Sequence, residues 1–222
     1  MTVAIIQARS SSKRFPNKVM QQINGYPLIS YVYNRVKKSN KIKKIFVASS
    51  VSNSDDKLVK YCKIKDYKVF RGSLNNVIKR FSQILKKKNI KYFVRINGDS
   101  PCIDPKVIDK AVNLFKKKKY DIVTNVFPRS YPKGISVEVI KSKLIIDLDR
   151  KKINKHYREH ITSFFYNNSH NYNIKNFKNK KNYSRLSLAV DTKNDLLKMK
   201  SVLENKNFLN YDWKKILLKL KK

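Results

Sequence analysis

Short apolar runs alternate with segments of helical periodicity along the chain, and this alternation limits the folds that the sequence can adopt. The apolar runs predict buried β-strands at Val3–Ala8, Ile45–Ala48, Tyr67–Phe70, Tyr92–Ile96 and Ile122–Thr124. Amphipathic helices are predicted between them at Pro27–Lys38, at Asp56–Ile64, from Val77 to Leu85 and from Asp104 to Phe115. Strands that alternate with helices favour an α/β fold with a mostly parallel central sheet and right-handed crossovers.

The second half of the chain continues this pattern less regularly. Its predicted elements are strands at Ser136–Ile140 and Leu186–Val190, a helix from about Tyr157 to Asn167, a helix from Thr192 to about Asn205 and an amphipathic tail helix over about 210–221. Thr192 and Asp195 have the spacing of a capping box. Because no linker or internal repeat interrupts the pattern, we predict a single domain over residues 1–222, with the tail helix docked on it or peripheral.

The net charge of +37 arises from 52 basic and 15 acidic residues. Forty-two of the basic residues are lysines spread from end to end, which favours a lysine-rich solvated surface over a localised nucleic-acid-binding patch. A basic nucleic-acid-binding protein is the alternative, although no recognised module is present and the aromatic residues do not interleave with the basic runs. No apolar run approaches the roughly 18 residues of a membrane span. Two cysteines provide neither a disulfide framework nor a metal cluster, so a cytoplasmic location is expected.

Two loops are candidates for the ligand site, because ligands of such sheets lie beyond the carboxyl ends of the strands. The loop Arg9–Lys18 follows the first predicted strand and carries four cations, namely Arg9, Lys13, Arg14 and Lys18. Arginine and lysine bind phosphate oxygens, and the backbone N–H groups of the three serines at 10–12 are predicted to form an anion-binding nest. The spacing is not that of a P-loop. The sequence therefore predicts a phosphate site here, with a solvated basic loop as the alternative.

The second loop, Asn97–Asp104, carries the carboxylate Asp99 immediately after a predicted strand. Asp191 ends a later predicted strand in the same way. Two strand-end carboxylates that converge would suit Mg²⁺, which needs few protein ligands when water and phosphate supply the rest. The alternatives are a turn role for Asp99 and a helix-start role for Asp191.

Several ordered motifs resemble those of one known family. Residues 4–18, Ala-Ile-Ile-Gln-Ala-Arg-Ser-Ser-Ser-Lys-Arg-Phe-Pro-Asn-Lys, are similar to the opening signature of the sugar cytidylyltransferases, which include the enzymes that activate acylneuraminate and ketodeoxyoctonate with CTP. Motifs similar to those of the spore-coat polysaccharide biosynthesis branch follow in order at 70–77, 98–105, 131–139, 158–160 and 190–192. The resemblance therefore reaches from residue 3 to about residue 200.

This resemblance implies a Rossmann-like nucleotide-diphospho-sugar transferase fold. It also implies an enzyme that activates a sugar acid of the nonulosonic type to a CMP-sugar, with release of pyrophosphate, for surface polysaccharide or glycan biosynthesis. CTP would be the co-substrate and Mg²⁺ the cofactor. The implied catalytic residues are Arg9, Lys18 and Asp99, and the implied nucleotide-binding residues are Ala8, Arg9, Ser10, Arg14, Lys18, Arg71, Ser73 and Asn97. The implied magnesium ligands are Asp99 and Asp191, and the implied sugar-binding residues are Tyr131, Gly134, Glu138, Arg158 and His160.

Three positions depart from the family pattern. Asn17 stands in place of a glycine before the signature lysine, Asn97 in place of a glutamine, and Ser136 in place of an aspartate of the acceptor site. The first predicts an altered turn in the phosphate loop. On the same fold, the alternative is a glycosyltransferase or another nucleotidyltransferase with a different nucleotide donor. No specific nucleic-acid partner is expected. A homodimer is compatible with the sequence.

Overall fold

The structure, a computed structural model, describes residues 1–12, 14–205 and 207–220. Lys13, one of the four cations of the predicted phosphate loop, and the last residue of the predicted tail helix lie outside these ranges. The strands are β1 (Val3–Gln7), β2 (Gln22–Ile23), β3 (Tyr26–Pro27), β4 (Lys44–Ser50), β5 (Val69–Gly72), β6 (Tyr92–Asn97), β7 (Ile122–Thr124), β8 (Glu138–Lys141) and β9 (Ile174–Asn176). The helices are α1 (Leu28–Lys37), α2 (Asp56–Ile64), α3 (Val77–Lys87), α4 (Pro105–Lys117), α5 (Ser142–Asp149), α6 (Lys155–Glu159), α7 (Ser163–Asn167), α8 (Lys193–Leu203) and α9 (Trp213–Leu220).

Seven strands form one central sheet in the order β5-β4-β1-β6-β8-β7-β9, and β2 pairs with β3 in a separate hairpin. β1 is parallel to both of its neighbours, β4 and β6, whereas β8 is antiparallel to β6 and β7. The predicted mostly parallel sheet with flanking helices is therefore confirmed. The chain runs from β1 outward to β5 and then returns to the other side of β1 with β6. The strand order reverses between β1 and β6, and a ligand crevice is expected at the carboxyl ends of these two strands.

The first strand shows why the sheet must lie between two layers. Val3, Ala4, Ile5 and Ile6 are all buried, and successive side chains point to opposite faces of the sheet. Ala4 and Ile6 join the apolar cluster beneath α1 and α4, while Val3 and Ile5 join the cluster beneath α3 and α5. A strand that is apolar on both faces gains burial only between two helical layers.

Two predicted elements of the second half are wrong in detail. The helix from about Tyr157 to Asn167 is broken into α6 and α7, because the backbone of His160 has a non-helical ψ of 77°. The segment Leu186–Val190 is not a strand of the sheet: Ser187 forms a single bridge with Lys133, and the N–H group of Val190 donates to the carbonyl of Asp99. This segment crosses the loops at the end of the sheet instead of lying beside a strand. Helix α5 and strand β9 were not predicted from the sequence pattern.

The C-terminal elements are fixed to the rest of the fold by buried groups. Arg35 of α1 is fully buried, and its guanidinium donates to the carbonyls of Ile103 and Tyr211 at 2.7 and 2.6 Å. Trp213 and Ile216 of α9 are buried in the same apolar cluster as α1. At the start of α8, Thr192 and Asp195 form the predicted capping box. Among the described residues, no helix combines the length and the apolar character needed to cross a membrane.

Candidate active site

A cavity of about 620 Å³ opens at the carboxyl ends of β1 and β6, where the strand order reverses. Eight residues that the sequence analysis selected line it, namely Ala8, Arg9, Arg14, Lys18, Asn97, Asp99, His160 and Asp191. Its wall also contains Gln7, Arg95, Leu74 and Asn75, and Lys155 and Glu159 of α6. The predicted phosphate loop and both predicted metal ligands therefore face one space.

Lys18 joins the two predicted metal ligands, Asp99 and Asp191. Its ammonium nitrogen lies 2.8 Å from Asp99 Oδ2 and 3.0 Å from Asp191 Oδ1, and its side chain is only 12% exposed. Arg14 Nη2 lies 3.4 Å from the same Asp191 oxygen. Burial acts to lower the pKa of Lys18, but the charges and hydrogen bonds of Asp99 and Asp191 together raise that pKa above its ordinary value. Lys18 is therefore a fixed cation, and the two carboxylates converge on one point.

Arg9 spans the cavity from the end of β1 to α6. Its Nη2 forms an ion pair with Glu159, and its Nη1 donates to the carbonyl of Leu74 at 3.4 Å. Glu159 follows Arg9 by 150 residues, so only the fold brings them together. The pair links the wall that carries the phosphate loop to the wall formed by α6.

Arg95 of β6 contributes a third cation to the cavity wall. It lies opposite Glu138 of β8 in the antiparallel register, forms an ion pair with that buried carboxylate, and donates from Nε and Nη2 to Gln7 Oε1 at 3.2 and 3.0 Å. The Tyr166 hydroxyl donates to the other Glu138 oxygen. Burial and the negative charge of Glu138 raise the pKa of Tyr166 well above its usual range. Glu138, predicted to contact the sugar, thus lies behind Arg95 and orients it.

The predicted nest of serine N–H groups is wrong for two of its three members. Ser10 N donates at 2.6 Å to Asp55, and Ser12 N donates at 2.9 Å to the carbonyl of Ser10. Ser10 is itself buried, and its hydroxyl has no partner among the described residues. The start of the loop is therefore anchored inward, and the groups that it turns to the cavity are mainly cationic side chains.

Asp55 is the buried anchor of this loop. It is fully buried and accepts hydrogen bonds from Ser10 N, from Ser49 Oγ and from the N–H and hydroxyl of Ser50. Burial acts to raise its pKa, but these hydrogen bonds together hold the pKa of Asp55 below its ordinary value. A buried carboxylate thus joins the ends of β1 and β4.

Arg71 and Ser73, implied by the resemblance to bind the nucleotide, are not brought to the cavity wall. Arg71 Nε and Nη2 donate to the carbonyls of Ser50 and Ser52 at 2.8 and 2.9 Å, and Nη2 also pairs with Asp56. Ser73 Oγ accepts a hydrogen bond from the N–H of Asn76. Both side chains shape the loop that follows β5, whereas Leu74 and Asn75 line the cavity.

Three of the predicted sugar-binding residues also lie elsewhere. Tyr131 is 4% exposed and packs edge-on against Phe177 and Trp213 in the core. Gly134 has φ +86°, and a Cβ there would lie 2.5–2.6 Å from neighbouring backbone atoms, so its role in this structure is backbone packing. Arg158 is exposed and does not line the cavity, in contrast to His160.

Two of the departures from the family pattern are accommodated locally. Asn17 has φ 55°, a left-handed conformation that asparagine tolerates better than other residues with a side chain, so the turn before Lys18 does not require glycine. Ser136 Oγ accepts a hydrogen bond from Arg129 Nη1 at 3.0 Å.

Arg95, Gln7 and Asp55 were not predicted as parts of the site, and Glu159 was predicted only as a member of the 158–160 motif, not as the partner of Arg9. The rarity of glutamate was a signal in the sequence, because the chain has only three. Two of them, Glu138 and Glu159, pair with arginines of the cavity wall. Nothing in the local sequence around Asp55 distinguishes it from Asp56, which is exposed.

The donor set is compatible with magnesium held by two protein ligands. Asp99 and Asp191 offer hard carboxylate oxygens of the kind that Mg²⁺ prefers. Both carboxylates already pair with the same ammonium group, that of Lys18, so they lie close enough to share one ion. Within residues 1–12, 14–205 and 207–220 no group of three or more His, Cys, Asp or Glu side chains is placed to hold a metal. A magnesium ion here would therefore complete its shell with water and phosphate oxygens.

Comparisons with known proteins agree with this geometry. The family model for cytidylyltransferases matches residues 3–216. The spore coat polysaccharide biosynthesis protein SpsF of Bacillus subtilis is 28% identical over 209 residues, which cover 90% of this chain and 85% of that protein.

Two solved structures extend the comparison to the fold. A cytidylyltransferase from Leptospira borgpetersenii superposes with a TM-score of 0.93 at 29% identity and covers 100% of this chain and 94% of that one. A CMP:2-keto-3-deoxy-manno-octonic acid synthetase complexed with CTP shares the fold alone, with a TM-score of 0.70 at 15% identity over 91% of this chain and 98% of that one. The chain belongs to the cytidylyltransferase family and is a nucleotidyltransferase.

Proposed function

We propose that the protein transfers CMP from CTP to a hydroxyl of a sugar acid and releases pyrophosphate. The observation that carries this proposal is the convergence of Lys18, Asp99 and Asp191 at the point where the strand order reverses, with Arg14 beside them. A triphosphate is the ligand whose charge and length suit a row of cations next to two carboxylates that can share a metal.

The chain's own groups would act mainly by positioning and by neutralising charge. Arg9, Arg14 and Lys18 would hold the phosphates in line for attack by the acceptor hydroxyl on the α-phosphorus, with the oxygen that bridges to the pyrophosphate as the leaving group. Asp99 and Asp191 would hold Mg²⁺, which supplies neutralisation of the negative charge that develops on the phosphate oxygens. Because Arg9, Arg14 and Lys18 are each paired with a carboxylate, phosphate oxygens would replace carboxylate oxygens around Arg9 and Lys18.

The acceptor would enter from the side of α6. Lys155 and His160 line that wall, and Arg95 lies at the base of the cavity, so cationic or polar groups face an acidic sugar. The names of the relatives support this choice, since they include a spore coat polysaccharide biosynthesis protein and 3-deoxy-manno-octulosonate cytidylyltransferases. A role in surface polysaccharide or glycan biosynthesis, in the cytoplasm, is part of the same proposal.

The proposal is tested by pyrophosphate release from CTP, UTP, ATP and GTP with Mg²⁺ and a panel of sugar acids. CTP and at least one sugar acid should give activity, and Asp99→Asn should lower it by at least about 100-fold, since a metal contributes several kcal/mol to such a transition state. Asp147→Asn is the matched control, because Asp147 pairs with Lys143 on the exposed face of α5. Activity of Asp99→Asn equal to that of the control would contradict the role of Asp99, and preference for UTP or GTP would indicate another nucleotide donor.

A further inference from the structure

One face of the central sheet changes from apolar to polar at the carboxyl ends of β1 and β6. Ile5 of β1 and Phe93 of β6 are buried on this face, in the apolar cluster beneath α3 and α5. Side chains two residues apart in a strand share a face, so Gln7 follows Ile5 and Arg95 follows Phe93 on it. Both Gln7 and Arg95 line the cavity, and α6 packs against α3 on the same side of the sheet. The cavity wall next to α6 is therefore built from a polar end of an apolar face.

Contacts from the protein interior hold Arg95 in place. Its Nη1 forms an ion pair with Glu138, whose side chain is only 3% exposed, and its Nε and Nη2 donate to Gln7 Oε1 at 3.2 and 3.0 Å. The second oxygen of Glu138 accepts a hydrogen bond from the Tyr166 hydroxyl, which also lies 3.1 Å from Thr124 Oγ1. The guanidinium is thus fixed on two of its sides, by Glu138 and by Gln7.

The ion pair between Arg95 and Glu138 is costly, which argues that it has a function. Moving two charges out of water carries a desolvation penalty, and well-packed apolar side chains of similar volume are often as stable or more stable. The cross-strand pair two residues earlier in β6, Phe93 with Ile140, is apolar and joins the same two strands. A pair that only joined β6 to β8 could be apolar in the same way.

Arg95 determines which way the Gln7 carboxamide is turned. A guanidinium carries only hydrogen-bond donors, so the carboxamide presents its oxygen to Arg95 and turns its Nε2 away. Within residues 1–12, 14–205 and 207–220, Gln7 Nε2 has no hydrogen-bond partner. Because Gln7 lines the cavity, the two N–H donors of Nε2 are available to a ligand.

The charge of this part of the wall indicates which ligand group it suits. Glu138 neutralises Arg95, and Gln7 and its neighbour in the parallel register, Asn97, are uncharged. A carboxylate or a phosphate is matched better by a cation such as Lys155, which lines the same cavity. A sugar hydroxyl carries no charge, and its oxygen can accept a hydrogen bond from Nε2.

We propose that Gln7 binds the sugar acceptor by donating from Nε2 to the oxygen of a hydroxyl that does not react, and that Arg95, held by Glu138, is the positioning residue that turns the carboxamide. A hydrogen bond donated to the attacking oxygen would make that oxygen a poorer nucleophile, so the contact belongs to another hydroxyl. The inference rests on the proposed function and adds to it a group that recognises the sugar independently of its carboxylate.

Gln7→Met tests the contact, and Gln22→Met in the exposed part of the β2–β3 hairpin is the matched control. The probes are CTP and the most active sugar acid of a panel that begins with 3-deoxy-manno-octulosonate. Gln7→Met should raise the KM for the sugar acid by roughly tenfold, the loss expected for one hydrogen bond, and leave the KM for CTP within about twofold of the control. If Gln7→Met does not fold, Gln7→Glu replaces it, because a carboxylate keeps the oxygen that Arg95 binds and lacks both donors.

The possible failures of this test differ from one another. An unchanged KM for the sugar acid in an active Gln7 variant, or a raised KM for CTP alone, would overturn the inference and leave the proposed function standing. A wild-type protein that uses no sugar acid would overturn the proposed function and, with it, the inference.

The positioning role of Arg95 is tested by combining Arg95→Met with Glu138→Gln, which removes the ion pair without leaving a buried charge unpaired. This pair variant should raise the KM for the sugar acid. Adding Gln7→Met should then change that KM by no more than about twofold, because residues that act through one contact have non-additive effects. Effects that multiply would overturn the positioning role. If the pair variant does not fold, Tyr166→Phe takes its place in the same comparison, since it removes the hydroxyl that holds Glu138.

Discussion

Replacing the buried anchor Asp55 with asparagine should destabilise the protein more than any change at an exposed carboxylate. Oδ1 of Asp55 accepts from Ser10 N, and Oδ2 accepts from Ser49 Oγ and from the N–H and hydroxyl of Ser50. Asparagine keeps one carbonyl oxygen and turns the other atom into a donor. The hydroxyls can rotate to accept from the new amide, but the N–H of Ser10 and that of Ser50 cannot both be satisfied. One buried backbone N–H therefore loses its acceptor in either orientation.

The expected loss in the free energy of unfolding is about 2–4 kcal/mol. Hydrogen bonds to a charged group contribute about 1.5–3 kcal/mol each, and an unsatisfied buried N–H costs about 1–3 kcal/mol. For a chain of this size 1 kcal/mol corresponds to roughly 2–4 °C, so the melting temperature at pH 7 should fall by roughly 5–15 °C. Asp56→Asn is the matched control: Asp56 is exposed, its pair with Arg71 is a surface pair, and such pairs contribute about 0–1 kcal/mol.

Thermal unfolding of wild type, Asp55→Asn and Asp56→Asn is to be followed by circular dichroism between pH 3 and pH 8. The folded-state pKa of Asp55 lies below its ordinary value, so its ionised form stabilises the fold above the unfolded pKa of about 3.9, and this contribution is lost as the pH falls through the folded pKa. The difference between wild type and Asp55→Asn should therefore be constant from pH 5 to pH 8 and narrow below pH 3.9. A melting temperature of Asp55→Asn within 2 °C of the control at pH 7 would refute the argument that the carboxylate anchors the loop.

Further predictions concern other parts of the molecule. Gly134→Ala combines a positive φ with a Cβ 2.5–2.6 Å from backbone, so it should cost more than about 3 kcal/mol in chemical denaturation, and stability like that of wild type would contradict the packing argument. Glu159→Gln should tighten the binding of inorganic triphosphate by about two- to fivefold at low salt, as measured by calorimetry, because Arg9 no longer pairs with a carboxylate. Weaker binding would indicate that the pair instead orients Arg9. Cys62 and Cys102 are fully buried, and burial raises the pKa of each thiol to about 12. Neither should therefore react with a thiol reagent at pH 8 until the protein is denatured. Rapid reaction of the native protein would contradict their burial.

The parts of the fold that the sequence predicted share one physical property. β1, β4, β6 and the helices that follow them have a dominant local period and clear end signals, such as the Asp104 cap before Pro105. Where the hydrophobic period of a segment is weak, its secondary structure depends on contacts with residues that are distant in the sequence. The segment Leu186–Val190 is apolar because it covers the core at the end of the sheet, and its N–H groups bond to loops rather than to a strand. Apolar composition alone cannot distinguish these two environments.

The candidate site follows the same division. Asp99 follows β6 directly and Lys18 belongs to the loop after β1, so both reach the edge at which these parallel strands end. Asp191 reaches the same space although the segment before it is not a strand of the sheet. Arg71 could not be distinguished from Arg9 by sequence, since each follows a strand and lies in a polar loop. The difference is that carbonyls of the neighbouring strand end lie within reach of Arg71, whereas Arg9 meets Glu159 from a helix 150 residues away.

The charge of the chain and the charge of its cavity have different origins. The net charge of +37 is distributed along the whole chain, yet four cations of the described cavity wall are paired with scarce carboxylates: Arg9 with Glu159, Arg14 and Lys18 with Asp191, Lys18 also with Asp99, and Arg95 with Glu138. A general lysine coat attracts anions without regard to their shape. Cations that are each held by a carboxylate keep fixed positions, so an entering anion must present oxygens where the carboxylate oxygens lie. Selectivity for a triphosphate would therefore come from the paired carboxylates of the cavity as much as from its cations. Raising the salt concentration should weaken nonspecific polyanion binding more than nucleotide binding in the cavity.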